Sequence, residues 1–424
     1  MAKKRVLHTS DWHLGQTFHG FDRRFEHERF LAWLLQTITA HEIDALFISG
    51  DVFDTANPST AAQRLWFEFL GQLLVLRRSC DVVAIAGNHD SGAGLEKTDA
   101  LTKSLGHHVL GSVRDAAGEF DPRRLVIPLG ARDGAAPWGY AAAIPFLRPD
   151  DLGSLSELQQ ENAFEVLTRK RHEAIFAALR DVSHEGHARF ALAHGVVGGE
   201  THRSADSERD LRIGNVESMP VDMFPADLTY VALGHLHRPQ RAGRRDSVQY
   251  AGSPLPLHVS EADYAHRVVV VTVQGSAVLS QESILVPKVV AVVRVPEGKR
   301  AATPDEALLT LRALRDMSAL PAEERPYLEV RYRLESPRPA FPQEVADAIE
   351  GKGYRLTVVR AERETELART QDFAAEDASL LSFTPEEVFR EFYQRKYPTS
   401  VPSEALLQAF GALVDGVLTE QVPS

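Results

Sequence analysis

Five times along this 424-residue chain a short apolar run stops abruptly at a glycine, aspartate or histidine. A run of four to eight β-branched and apolar residues ended in this way is a strand buried on both faces, and such strands build layered α/β sheets. The third run is the plainest: Val82 to Ile85 passes directly into Ala86-Gly87-Asn88-His89-Asp90. Asn88 offers a carbonyl oxygen to a cation, and His89 can bind a metal or carry a proton.

The other four runs have the same layout. Residues 6–10 precede Asp11-Trp12-His13-Leu14-Gly15, and 43–49 precede Gly50-Asp51-Val52-Phe53-Asp54. Residues 189–193 end at His194-Gly195, and 228–233 end at Gly234-His235-Leu236-His237. Residues two apart at a strand's end project the same way, so Asp11 with His13, and His235 with His237, are expected to aim together. A lone Asp-x-His is most simply a turn carboxylate and a surface imidazole, but five such endings in one chain ask for a common purpose. Asp54 and Asp90 are either supports for that purpose or turn carboxylates.

Between the first strands the spacing of apolar residues predicts helices over 21–41 and 58–76, with Pro58 near the first turn of the second. Trp66, Phe67 and Leu73 to Leu76 are expected in the core, and 155–179 is a further long helix. Strands alternating with helices imply an α/β core over residues 1–286, with ligands beyond the carboxyl ends of its strands. After Pro287 the order becomes β-α-β-α-β, a small α+β domain over 287–363. An acidic linker, 364–382, leads to two amphipathic helices within 383–424, whose Val388, Phe389, Phe392, Tyr393 and Phe410 are expected to pack on a partner.

The net charge of −12 argues against nucleic acid, but residues 361–424 carry 12 acidic against 5 basic residues, so −7 of it lies in the tail. Cys80 is the only cysteine, which excludes an internal disulfide and fits a reducing cytosol. No apolar run approaches the ~18 residues of a membrane span. Arginines gather near the motifs: Arg23 and Arg24 after the first, Arg203, Arg209 and Arg212 in the polar stretch 198–213, and Arg238, Arg241, Arg244 and Arg245 after the last. Basic residues beside a metal site suit an anionic substrate.

Asp11, His13, Asp51, Asn88, His194, His235 and His237 make a mixed carboxylate, amide and imidazole set without thiolate, suited to manganese, iron or zinc. Seven ligands exceed one tetrahedral ion. Two ions bridged by Asp51 fit the count, at the ~3.5 to 4 Å spacing of two-metal phosphoester enzymes. His89, not needed as a ligand, could protonate a leaving oxygen.

The order Asp-x-His, Gly-Asp, Gly-Asn-His-Asp, His-Gly, Gly-His-x-His resembles that of the calcineurin-like metallophosphoesterases. Leu7 to Gln16, Ser49 to Asp54, Ala86 to Ser91, Arg209 to Gly214, Ala232 to His237 and Tyr250 to Pro254 are similar to the bacterial SbcD family of nuclease subunits. The resemblance implies a β-sandwich core flanked by helices, a DNA-binding capping domain, and manganese-dependent exonuclease and endonuclease activity on DNA ends and hairpins. It implies that Asp11, His13 and His237 hold one metal and Asn88, His194 and His235 the other, with Asp51 bridging and His89 on the phosphate. Archaeal and eukaryotic relatives carry a histidine where this chain has Asp54. The resemblance further implies a cytoplasmic, nucleoid-associated homodimer, with helices 21–41 and 58–76 as candidates for its interface. A coiled-coil ATPase of the SbcC type would bind the C-terminal helices, giving a heterotetramer. This chain has no Gly-x-x-x-x-Gly-Lys-Ser/Thr loop, so the nucleotide would be the partner's. A phosphatase with the same metal pair and a non-catalytic DNA scaffold are the rival readings.

Overall fold

The computed structural model describes residues 2–97, 102–115, 117–132, 134–152, 163–198, 219–298, 300–333 and 338–362, with positions 393, 402, 403, 406, 407 and 410 beyond them. The chain divides into two compact units, one of residues 1–331 and 339–360, the other of residues 332–338 and 361–424. The linker and C-terminal helices expected from the sequence fall almost wholly outside the described residues.

In chain order the first strands are β1 (Lys3–Thr9), β2 (Thr17–Phe18), β3 (Phe21–Asp22), β4 (Ala45–Ser49), β5 (Asp81–Ile85) and β6 (His107–Leu110). Then come β7 (Val126–Leu129), β8 (Gly139–Ile144), β9 (Ala188–His194), β10 (Tyr230–Gly234), β11 (Gln240–Arg241) and β12 (Val248–Tyr250). The last are β13 (Arg267–Gln274), β14 (Ala277–Leu285), β15 (Val292–Val295), β16 (Tyr327–Arg333) and β17 (Arg355–Glu362). Two six-stranded sheets form the core, ordered β14-β13-β1-β4-β5-β6 and β11-β12-β10-β9-β8-β7. Within them β1-β4-β5-β6 and β12-β10-β9-β8 run parallel. A three-stranded sheet, β15-β16-β17, follows the expected β-α-β-α-β order, with helices Pro304–Ala313 and Phe341–Ala348 between its strands.

The side-chain alternation of the first sheet explains why its strands are apolar on both faces. Val6, Phe47, Val83 and Ile85 join Phe190, Leu192, Val231 and Leu233 of the second sheet in one buried cluster. The Phe47 and Phe190 rings meet edge-on at 5.2 Å across the gap between sheets. Leu7, Leu46, Ile48, Val82 and Ala84 face the other way, against helices α1 (Arg24–Ala40) and α2 (Thr60–Leu76). Each such fully buried side chain contributes about 1.5–3 kcal/mol.

α2 starts at Ser59, whose side chain accepts the Ala62 N–H. Its buried stripe is Leu65, Trp66, Phe69, Leu70 and Leu73. The expectation of a core position fails for Phe67, Val75 and Leu76, which are exposed because a single helical stripe cannot reach them. Trp12, from the first motif, plugs the space between the helices, edge-on to Phe30, Trp66 and Phe69. The motif loop is thereby pinned to the core.

Candidate metal centre

β1, β4, β5, β9 and β10 end at one edge of the sandwich, and the five motifs leave from those ends. β1 stops at Thr9, so Asp11 and His13 lie outside it. Their φ angles are 54° and 46°, that of Asp51 is 51° and that of His235 is 104°. L-residues avoid this left-handed region, and they hold it only where the surroundings over-determine them. The loops do this for each other. Asp11 N–H donates to Gly50 O at 3.0 Å, His13 N–H to Asp51 O at 3.0 Å, and His235 N–H to the Asp11 carboxylate at 2.9 Å.

Strand alternation is therefore not what aims these side chains. His235 and His237 in fact diverge. His235 Nδ1 lies 3.1 Å from Asn88 Oδ1, with its ring 5.3 Å from that of His194. His237 lies with Asp11 and His13 instead, its ring 5.4 Å from that of His13.

Three groups of potential ligands result among the described residues: Asp11, His13 and His237; Asp11, Asp51 and His194, with Asn88 and His235 beside them; and, toward the rim, His13, Asp54 and His89. All but Asp54, Asn88 and His89 are buried. Asp51 Oδ2 stands between the first two groups, 3.5 Å from His13 Nε2 and 3.4 Å from His194 Nε2.

The polar partners of these imidazoles settle what the centre can hold. His194 Nδ1 donates to Ser49 O at 2.8 Å, His237 Nδ1 bonds the Glu261 carboxylate at 2.9 Å, and His13 Nδ1 bonds the Asp54 carboxylate at 3.1 Å. An imidazole committed as a donor at Nδ1 turns a lone pair outward at Nε2. His13 Nε2 is buried without a hydrogen-bond partner and faces the Asp51 oxygen. His194 Nε2 faces both that oxygen and Asn88 Oδ1, the latter at 2.9 Å. Acceptors thus converge on acceptors, an arrangement that a divalent cation satisfies. The residues fit the group, and the chain binds divalent metal.

Electrostatics point to the same need for positive charge, which a proton on His194 can also meet. Burial works to lower the His194 pKa, but Asp51 and Asp11 override it and lift it to about 9. Burial works to raise Asp51, and His194, His13 and His89 override that, holding its carboxyl far below the usual range. His235 is pushed down to about 3 by burial and by His194. The pocket stabilises positive charge beside Asp51.

Glycine brings the sheets this close. A Cβ on Gly50, whose φ is 92°, would fall 2.1 Å from His194 Nδ1, and one on Gly87 would fall 2.1 Å from Asp51 Oδ1.

His89 sits at the rim, its N–H on Asp51 Oδ1 at 2.8 Å and its Nδ1 donating to Asp54 O at 2.8 Å. Asp54 therefore orients both His13 and His89. Asp90 is buried, and its carboxylate accepts the N–H groups of Val52, Phe53 and Gly87. Burial and Asp51 push its pKa up to about 6, against those three donors.

Of the arginines, Arg23 needs correction. It is wholly buried, with its guanidinium on Glu26, Gln16 and Pro256 O, and cannot meet DNA. The helix start places it inward, beside a carboxylate that neutralises it. Arg24 is exposed and paired with Glu28, Arg241 is exposed and paired with Asp246, and Arg238 is half-buried over the Tyr264 ring. Arg203, Arg209 and Arg212 lie outside the described residues.

Sequence reasoning missed the anchors. Ser10 Oγ donates to Asp11 Oδ2 at 2.6 Å, and Tyr250 OH bridges Gly195 O and Val197 N–H behind His194. Glu261, on His237, follows no motif at all. Ser10 and Tyr250, both in runs already picked out, carried a signal.

Residues 4–239 match the family model for calcineurin-like phosphoesterases, and residues 289–397 match one described as the type 5 capsule protein repressor C-terminal domain, SbcD_C. The chain is similar to the SbcD subunit of the SbcCD nuclease of Rhodobacter capsulatus, at 37% identity over 91% of this chain and 93% of that protein. It is 35% identical to the SbcD subunit of Escherichia coli K12 over 67% of this chain and 68% of that protein. It is 29% identical to the SbcD subunit of Bacillus subtilis over 98% and 99%. With its metal centre at the strand ends of a two-sheet core, the chain belongs to the calcineurin-like phosphoesterases and, among them, to the SbcD family of SbcCD nuclease subunits.

Proposed function

We propose that this protein is the nuclease subunit of a complex with an SbcC-type ATPase and hydrolyses DNA phosphodiesters at the metal centre. The observation that carries this is the Asp51 carboxylate set between outward-facing imidazoles from both sheets. Our reading is of two ions, manganese foremost: Asp11, His13 and His237 would hold one, Asn88, His194 and His235 the other, and Asp51 would serve both. When bound, such cations acidify water and neutralise charge developing on phosphorus.

The chain's own residues do the rest. His89, its Nδ1 fixed on Asp54 O, would contact the phosphate through Nε2 and protonate the departing oxygen. Asp54 and Asp90 hold the loops that carry His13, Asp51 and His89. Arg24, Arg238 and Arg241 are our candidates for DNA backbone contact, with Arg203 and Arg209 from the stretch beyond the described residues.

Substrates are double-strand ends, hairpins and single strands, cut exonucleolytically and endonucleolytically. The domain at 287–363 caps the core and meets DNA, and residues 383–424 bind the ATPase after the linker 364–382. Two copies pair through α1 and α2, in keeping with the exposed Phe67, Val75 and Leu76 on α2. No helix among the described residues is long and apolar enough to cross a membrane, and we place the protein in the cytoplasm.

The test is cleavage of end-labelled duplex DNA by the chain, alone and with an SbcC-type ATPase, in manganese, magnesium or EDTA, beside His89→Ala. Metal-dependent digestion that falls about 10²–10⁴-fold in the variant is expected. Hydrolysis of a phosphomonoester but never of DNA would make the protein a phosphatase. DNA binding without any hydrolysis, even with the ATPase, would make it a scaffold.

A further inference from the structure

One segment that no motif marks touches the metal centre and the three-stranded sheet at once. Residues 256–263 form a strap between β12 and β13. Glu261, wholly buried, bonds His237 Nδ1 through Oε1 at 2.9 Å and accepts the Leu257 N–H through Oε2 at 2.8 Å. Its carboxylate is thus locked to the strap's own backbone, and the strap's position becomes that of the His237 ring.

The outer side of the strap is held from elsewhere. Arg294, on β15, donates to Val259 O and to the Asp263 carboxylate, while its Nε is fixed on Glu329 of β16 at 2.9 Å. Lys288 donates to Ala262 O at 2.7 Å. From the core, the buried Arg23 grips Pro256 O at 2.6 Å, and its partner Glu26 accepts the hydroxyl of Tyr327, also on β16, at 2.7 Å. Buried charge is expensive, and a fully satisfied buried network persists where it specifies one geometry. Here the buried members, Arg23, Glu26 and Glu261, reach the strap through Pro256 O and Leu257 N–H and the sheet through Tyr327, while Lys288 and the Arg294–Asp263 pair hold the strap from its exposed side.

We propose that Glu261 is the positioning residue of His237, and that the three-stranded sheet sets its aim through Arg294 and the strap. This rests on the functional reading above in that His237 is a metal ligand. A carboxylate behind a ligating imidazole fixes its tautomer and orientation. A shift of β15 against the core would pull on Val259 and Asp263 and turn His237 without touching the other imidazoles. The sheet then grades one half of the centre rather than both.

The experiment compares the full chain with Glu261→Gln, Glu261→Ala, Arg294→Lys and Arg294→Ala. Manganese uptake is followed by calorimetry, and the His237 tautomer by long-range ¹H–¹⁵N NMR on metal-free protein. We expect Glu261→Ala to weaken one manganese site about 10- to 100-fold and to mix the His237 tautomers, with Glu261→Gln milder. Arg294→Ala should weaken the same site about 2- to 30-fold, the range of coupling through packed networks, and Arg294→Lys less. A lowered melting temperature with unchanged tautomer and unchanged uptake would overturn the proposal and leave the strap merely structural. An effect of Glu261→Ala without one of Arg294→Ala would overturn the part assigned to the sheet. If the unmodified chain takes up no manganese, the nuclease reading fails. The tautomer measurement still judges Glu261 and Arg294 in that event, and a folded Glu261→Gln or Arg294→Ala decides it should Glu261→Ala not fold.

Discussion

The ends of β1, β4 and β5 bring carboxylates to the centre (Asp11, Asp51 and, behind them, Asp54 and Asp90), whereas the ends of β9 and β10 bring only imidazoles. The two groups are held differently. Asp11, His13 and Asp51 all take left-handed backbone angles and are stitched loop to loop by main-chain hydrogen bonds. His194 and His237 are each aimed through Nδ1, by Ser49 O and by Glu261, and on that side only His235 shares the positive φ and the stitching to Asp11. Carboxylates crowded together repel and would drift apart on a compliant loop. A strained backbone fixed from both sides prevents that. A neutral imidazole needs only a fixed tautomer and a direction, and one hydrogen bond supplies both.

Breaking the carboxylate side should therefore cost most. Asp90→Ala removes a buried carboxylate from three backbone N–H groups and leaves them unsatisfied. We expect a loss of about 3–5 kcal/mol in urea unfolding, with manganese uptake falling in parallel. A loss under about 1 kcal/mol would mean that the loops of β4 and β5 hold themselves.

The tie between the sheets gives the next largest effect, and it appears as pH dependence. His8 on β1 is fully buried, with Nδ1 2.9 Å from Tyr230 OH and Nε2 3.2 Å from Leu233 O of β10. Burial lowers its pKa to about 3. The unfolded chain takes up this proton near pH 6.5 while the folded chain refuses it, so stability is lost as pH falls below 6.5. At pH 5 the loss is about 2 kcal/mol. Asp90, raised to about 6, has the opposite sign: the folded state holds its proton more tightly, so acidification favours folding through that group. Melting curves from pH 7 to 5 should show a fall that His8→Asn makes shallower by the His8 contribution, the buried His27, His107, His172 and His235 keeping the rest. A fall of undiminished slope in His8→Asn would assign the acid sensitivity elsewhere.

The same contrast separates what could be read in the sequence from what could not. The strands and the seven candidate ligands were legible because both-face burial leaves unbroken apolar runs, and their ends stand out against them. The order β-α-β-α-β after Pro287 was legible from β-branched runs alternating with helical spacing, although β15 and β17, unlike β16, are only partly buried. The direction of each side chain was not. Alternation along an imagined strand sent His235 and His237 together, whereas a φ of 104° at His235 sends them to opposite halves. Arg23 and Arg24 are adjacent arginines with opposite fates, because only the helix start decides which faces Glu26. Glu261 is unremarkable in sequence and acts only through a contact 24 residues back along the chain.

The smallest effect sharpens the comparison most, because it loosens the imidazole side alone. Tyr250 donates its hydroxyl to Gly195 O at 2.8 Å and accepts the Val197 N–H at 2.7 Å, closing the turn that follows His194. Val197 is wholly buried, so Tyr250→Phe strands its N–H away from water, at a cost of about 1–3 kcal/mol. His194 would lose the support behind it while Asp11, His13 and Asp51 keep their stitched backbones. On the two-ion reading proposed above, we expect thermal unfolding to shift by that amount and divalent-metal binding nearer Asn88 to weaken, with binding nearer His237 unchanged. Equal weakening of both sites would show that the imidazole loops and the carboxylate loops move as one body, and the division drawn between them would fall.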